Sequence, residues 1–200
     1  MPVVAIAGAG LLGRLVALKL LDAGFKVTLF DADQLDGKRS CSWVAGGMLT
    51  PWAELEKAEP EIGDLGLRSL ELWPGLLDSL GKPVFFQRNG SLVVAHRQDA
   101  GELAAFISKV GARLPEANLM QNLDAAALAR IEPGLSGRFS RAVFFASEGQ
   151  LEPRDVLPAL ADALIERGID WQTGCTVTET DLVHSYLFFS WHLGGKPTLL

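Results

Sequence analysis

Apolar and polar positions follow two rhythms along this chain. The first run, Pro2–Ala7, is short, apolar and rich in β-branched residues, and it ends at a cluster of glycines. That pattern predicts a buried parallel strand. Leu11–Asp22 then repeats at helical spacing, with Leu12, Leu15, Val16, Lys19 and Leu20 along the expected helix and Ala23-Gly24 as its stop. Lys26–Phe30 is a second apolar strand. A β-α-β unit of about thirty residues is the smallest that can pair two parallel strands.

The rhythm changes further along. Asp33–Arg39 is a polar loop, and Ser42–Pro51 is a segment of small residues. Glu61–Leu80 predicts a helix through Ile62, Leu65, Leu67, Leu70, Leu72, Trp73 and Leu76, with Pro74 expected to kink or split it. Val84–Gln87 and Ser91–Ala95 flank Arg88-Asn89-Gly90, which predicts a hairpin with an Asn-Gly turn. Helices over Asp99–Val110 and Asp124–Ile131 and a strand over Ala142–Ala146 follow. The middle third therefore reads as α+β with antiparallel pairing, inserted into a first α/β domain. Pro153–Arg167 is helical again, with Val156, Leu157, Leu160, Ala161 and Leu164 on one face. Ile169–Gln172 and Cys175–Thr178 are expected strands, so the parallel α/β pattern returns. The expected layout is a first domain over 1–80, a second over 81–150, a return over 151–181 and a tail over 182–200.

Composition narrows the class. The 200 residues carry 18 Lys+Arg against 24 Asp+Glu, a formal net charge of −6, with 48% hydrophobic residues. That is a globular balance, and an acidic chain without a clustered basic patch argues against nucleic-acid binding. Two cysteines, Cys41 and Cys175, make neither a disulfide framework nor a zinc site, and suit a reducing cytoplasm. The apolar stretch Val3–Leu21 lacks a preceding basic region, is interrupted by Arg14 and Lys19, and holds three glycines, which opposes a signal peptide or membrane span. His96, His184 and His192 have no metal-ligand spacing, so no metal site is expected.

Gly8-Ala9-Gly10-Leu11-Leu12-Gly13 is a G-x-G-x-x-G run placed between an expected strand and helix, with Asp31 ending the second strand about twenty residues on. Each part has a physical task. Gly8 permits the tight turn, Gly10 lets backbone approach a diphosphate, and Gly13 lets helix and strand pack closely. The helix start offers free N–H groups and partial positive charge. Asp31 would accept hydrogen bonds from the adenosine ribose, which favours NAD or FAD over a 2′-phosphorylated dinucleotide. A second segment, Ser40-Cys41-Ser42-Trp43-Val44-Ala45-Gly46-Gly47-Met48-Leu49, suits backbone lying against a large flat ligand. A helix starting near Ser42 would aim N–H groups at phosphate. A buried loop packed on the sheet accounts for the same residues.

These residues together resemble the FAD-dependent D-amino-acid oxidase superfamily, and within it the glycine oxidase branch. The resemblance is carried by Val3–Gly13 with Asp31, by Ser42–Glu54, by Gln87–Leu92, by Glu148-Gly149-Gln150-Leu151-Glu152-Pro153 and by Cys175-Thr176-Val177. It covers residues 3 to about 181. It implies a Rossmann-type FAD-binding domain interleaved with an incomplete α+β antiparallel substrate domain. It places Gly8, Ala9, Gly10, Leu11, Leu12 and Gly13 at the FAD pyrophosphate and Asp31 at the ribose. Arg39 and Ser42 become candidates for phosphate or ribityl contacts. Ala45, Gly46, Gly47, Met48 and Leu49 would run beside the isoalloxazine, and Val177 would meet the adenine through its backbone.

The implied chemistry belongs to the flavin: a small amino acid or amine gives hydride, the imine hydrolyses, and dioxygen takes the electrons. The family's substrate-gripping arginine lies in the C-terminal half, and Arg68, Arg88 and Arg141 match no such motif, so no catalytic residue is assigned. After Asp181 the family pattern stops, and His184–Leu193 reads as an aberrant tail of a truncated or frameshifted chain, with a divergent strand turning at Gly194-Gly195 as the alternative. Such a chain is expected to expose a sheet edge and to associate, so a homo-oligomer is an expected state. The competing readings are a D-amino-acid dehydrogenase, an NAD-dependent dehydrogenase and a non-catalytic nucleotide-binding fragment. The Ala-Gly-Gly-Met-Leu segment and the early antiparallel insertion oppose the NAD enzyme.

Overall fold

The computed structural model describes residues 3–177 and 187–190. The chain divides into two compact units. The first lies within Met1–Gly47, Leu76–Phe85 and Glu152–Leu200, and the second is Met48–Gly75 with Phe86–Leu151.

The first unit is built on β1 (Val3–Ala7), α1 (Leu11–Asp22), β2 (Lys26–Asp31), α2 (Cys41–Val44), α6 (Pro153–Glu166), β9 (Asp170–Thr173) and β10 (Leu187–Ser190). Its sheet runs β10-β1-β2-β9, and every pairing is parallel. Val4, Ala5 and Ile6 are all buried in succession, as befits a strand covered on both faces. Glu152 caps α6 by accepting from the Arg154 N–H, and Pro153 occupies the first helical position, where a missing N–H costs nothing. Most of α6 is buried, and α1 and α2 pack along it.

The second unit holds β3 (Met48–Leu49), α3 (Pro60–Asp78, whose last turn belongs to the first unit), β4 (Phe86–Gln87), β5 (Ser91–Val94), α4 (Ala100–Gly111), β6 (Gln121–Asp124), α5 (Ala125–Ile131), β7 (Arg141–Phe145) and β8 (Gly149–Leu151). Two antiparallel sheets result, β3-β8-β4 and β5-β7-β6. Trp52, Leu55, Leu103, Val110, Val143 and Phe145 form one core cluster, and Leu123, Leu128 and Ala142 another. Pro74 sits inside α3, and the helix continues past it.

Three expectations change. The hairpin at Asn89-Gly90 is absent: β4 pairs with β8 and β5 with β7, so the whole stretch 86–94 runs antiparallel to 141–151. Between the two paired segments three residues face four, which is a bulge in a long ladder rather than a hairpin tip. Gly90 has φ +87°, and its N–H donates to the Glu148 carbonyl. The buried residues of α1 are Arg14, Ala17 and Leu18, and Leu12 is 49% exposed. Cys175–Val177 is not a strand, while Thr178 lies outside the described residues. Leu187–Ser190, within the expected tail, pairs with β1. Three strands escaped the sequence, β3, β6 and β8, because each is too short for an alternation to register.

Candidate functional site

A cleft of about 520 Å3 opens at the C-terminal ends of β1 and β2. It is lined by Gly8 to Gly13 after β1, by Asp31 and Asp33 at and after the end of β2, and, as its lip, by Arg39, Ser40 and Ser42 around the start of α2. Parallel strands end here, and the crevice beyond them is where open α/β sheets take ligands.

The glycines are explained by space. Gly8 has φ +101°, a conformation a Cβ disfavours, and its N–H donates to the Phe30 carbonyl at 2.8 Å. A Cβ on Gly13 would lie 1.9 Å from the Gly8 carbonyl oxygen, so α1 crosses the turn only because residue 13 has none. A Cβ on Gly10 would meet nothing within 4 Å and would project into open space. The fold itself therefore requires Gly13, whereas Gly10 keeps a cradle clear for a ligand. The start of α1 has no side-chain cap, so its first N–H groups are left for a ligand or water.

Asp31 sits at the end of β2 and is already engaged. One carboxylate oxygen accepts from the Ala9 N–H, and the other accepts from the Asp33 N–H at 2.6 Å. A carboxylate has about four lone-pair positions, so each oxygen can take a further donor such as a ribose hydroxyl. The sequence analysis gave Asp31 a ribose role alone; in the structure the same side chain anchors the Gly-rich turn. Asp31→Asn is therefore expected to weaken FAD affinity about ten- to a hundredfold, since its amide N–H would face the N–H of either Ala9 or Asp33 and a charged acceptor is lost. Fluorescence titration with FAD measures it, and an unchanged affinity would remove Asp31 from the site.

The lip is set by Ser40 rather than Ser42. Ser40 Oγ accepts from the Trp43 N–H at 3.2 Å and starts α2 at Cys41. Ser42 still lines the cleft. The Arg39 N–H donates to Asp33 at 2.8 Å, leaving its exposed guanidinium without a partner among the described residues. The cleft lining thus gathers Gly8, Ala9, Gly10, Leu11, Leu12, Gly13, Asp31, Arg39 and Ser42. It does not include Ala45, Gly46 and Gly47, which follow α2, nor Val177. Met48 and Leu49 form β3 of the second unit, with Met48 66% exposed. Among the described residues no His, Cys, Asp or Glu cluster could hold a metal, and no helix is long and apolar enough to cross a membrane.

The parallel sheet, the Gly-rich turn and the acid closing β2 define a dinucleotide-binding α/β protein. The chain belongs to the DAO family of FAD dependent oxidoreductases, whose sequence model matches residues 4–186. It is 39% identical over 177 residues to the putative thiamine biosynthesis oxidoreductase ThiO of Rhizobium etli, a match spanning 88% of this chain and 50% of that protein. Its fold is similar to glycine oxidase from Geobacillus kaustophilus, with a TM-score of 0.72 at 23% identity over 87% of this chain and 47% of that one. L-alpha-glycerophosphate oxidase from Mycoplasma pneumoniae, solved with FAD bound, shares the fold with a TM-score of 0.66 at 19% identity over 87% of this chain and 45% of that one. The chain spans about half the length of the ThiO relative. FAD is the cofactor of the family, and the open cradle at Gly10 together with the spare acceptor capacity of Asp31 fits it.

Proposed function

We propose that the first unit is a Rossmann-type FAD-binding domain and the second an α+β substrate-side domain, interleaved along the chain. Together they serve the oxidative deamination of glycine or another small amino acid or amine, in thiamine biosynthesis as the ThiO relative's name states. The observation that carries the reading is the cleft itself: Gly10 faces open space above an uncapped helix start, with Asp31 at the far end.

Bound FAD supplies the two-electron acceptor for the amine. The protein's part is to bind and orient. The N–H groups opening α1 and the helix dipole offset diphosphate charge. Asp31 takes the ribose hydroxyls while holding Ala9. Arg39 and Ser42, which line the cleft, would offer donors to phosphate or ribityl oxygens. By the family resemblance Ala45 to Leu49 would serve the isoalloxazine, and the Val177 backbone would meet the adenine.

The test is a titration of the purified chain with FAD, followed by anaerobic addition of glycine, sarcosine or D-alanine. Stoichiometric binding and bleaching of the visible flavin band by glycine or sarcosine is the expected result. Bleaching by D-alanine alone would favour a D-amino-acid dehydrogenase. Binding without bleaching by any amine would overturn the amine-oxidising assignment, and absence of FAD binding would overturn the whole reading.

A further inference from the structure

Arg14 follows the last glycine of the turn, and its side chain has no exposed surface. Its guanidinium donates only to backbone. Nε reaches the Ala9 carbonyl at 2.7 Å, and the two terminal nitrogens reach the Leu157 carbonyl at 2.6 Å and the Leu35 carbonyl at 3.0 Å. These acceptors lie on three separate segments: the Gly-rich turn, the loop after β2, and α6. One face of the guanidinium lies over the Trp171 ring of β9, 5.1 Å from its centroid. A planar fork of five N–H groups can join three carbonyls in one fixed geometry, which a lysine cannot. The surrounding loop makes room for it, because a Cβ on Gly37 would come within 2.6 Å of a guanidinium nitrogen.

The charge is the unusual part. A buried arginine is often no more stabilising than an apolar residue of the same volume. Among the described residues, no carboxylate lies within salt-bridge distance of Arg14. Burial disfavours its charged form, while Asp31, Asp33 and Asp36 favour it through space. Ala9 ties this charge to the cleft. Its carbonyl accepts from Arg14, and its N–H donates to Asp31. The turn is thus held by a cation on one side and an anion on the other.

We propose that Arg14 is a positioning residue of the dinucleotide cleft: it fixes the Gly-rich turn against the loop after β2 and against α6, and its buried charge is complemented by the diphosphate of the bound dinucleotide. The inference rests on the dinucleotide reading of the cleft. An apolar replacement fills the space but leaves three carbonyls without their donor and removes the positive charge behind the turn.

The test compares the wild-type chain with Arg14→Met and Arg14→Lys, each titrated with FAD and with ADP at low and high salt, with folding checked by circular dichroism and thermal melting. Arg14→Met is expected to lose at least about tenfold in affinity for both ligands and to show a flatter salt dependence. Arg14→Lys, which keeps the charge and loses the fork, should fall between it and the wild type and keep the wild-type salt slope. If Arg14→Met does not fold, Gly37→Ala serves instead. It sets a Cβ against the guanidinium and strains the loop at φ +66°, loosening the Leu35 contact without removing charge, so weaker ADP binding with an unchanged salt slope is expected. A lowered melting temperature with unchanged ADP affinity and salt slope in the folded variants would overturn the inference and leave Arg14 a structural residue only. A wild-type chain that binds neither FAD nor ADP would instead overturn the dinucleotide reading, a distinguishable result.

Discussion

Gly13→Ala is expected to weaken FAD binding by at least about a hundredfold, or about 2.8 kcal/mol, and to lower the melting temperature of the chain without ligand. The added Cβ would sit 1.9 Å from the Gly8 carbonyl oxygen, a backbone atom that no side-chain rotation can move aside. Helix α1 must slide off the turn, and forced repacking of this kind costs roughly 1–3 kcal/mol. The slide also pulls the helix start away from the cleft. Gly10→Ala makes the informative comparison. Its Cβ meets nothing within 4 Å, and residue 10 has φ −67°, so the unliganded chain should keep its stability. Only the ligand loses room. Calorimetric melts and FAD titrations of both variants separate the two roles. A Gly13→Ala chain with wild-type affinity, or a Gly10→Ala chain melting well below the wild type, contradicts the assignment.

Glu148→Ala is expected to destabilise the chain by about 2–6 kcal/mol, from two buried N–H groups each left unsatisfied at about 1–3 kcal/mol. That is a large part of a typical domain stability of about 5–15 kcal/mol. Glu148 has no exposed surface. One carboxylate oxygen accepts from the Trp52 and Ala53 N–H groups at 2.8 and 2.9 Å, and the other accepts from the Ser91 hydroxyl. The bulge between the two ladder segments aims this side chain inward, where it pins the chain just after β3 to β5 and β8. Glu148→Gln keeps an acceptor for both amides and an N–H for Ser91, so it should fold.

The pair also predicts a pH dependence. Burial pushes the Glu148 carboxyl above the usual range, the nearby Glu54 adds to this, and its three hydrogen bonds only partly oppose it. A raised folded value means a contribution fully present below the unfolded value, near pH 4.3, and lost as pH rises through the folded value. Melts from about pH 4 to about pH 8 should therefore show Glu148→Gln gaining on the wild type with rising pH. A constant difference between the two across that range would refute the buried-charge account.

The β-α-β unit, the glycine turn and the closing acid were legible because each depends on local geometry and fixed spacing. What escaped depended on distant partners. Arg14 read as a polar interruption, since nothing in its neighbours announces carbonyls from residues 35 and 157. Asn89-Gly90 carried an honest signal for positive φ, but the partner strand came from 141–151 rather than from the adjoining residues. Glu148 was noticed within a family-like segment, yet its amide partners lie 95 and 96 residues away. The helix expected near Ser42 begins at Cys41, capped by Ser40, within the usual margin at a helix start.

The order in which the strands leave the ribosome carries a consequence for biogenesis. Every described strand of the second unit has been synthesised by Leu151, so that unit can gather its sheets while translation continues. The first unit begins earlier but finishes later: β2 waits for β9, with Thr28 facing Asp170 across a long span of chain. Nascent β1 and β2 must therefore persist with an open edge until more than a hundred further residues emerge, a setting that invites chaperone capture. Slow codons placed after the Leu151 position would favour orderly assembly, whereas a pause between β2 and β3 would prolong the vulnerable interval.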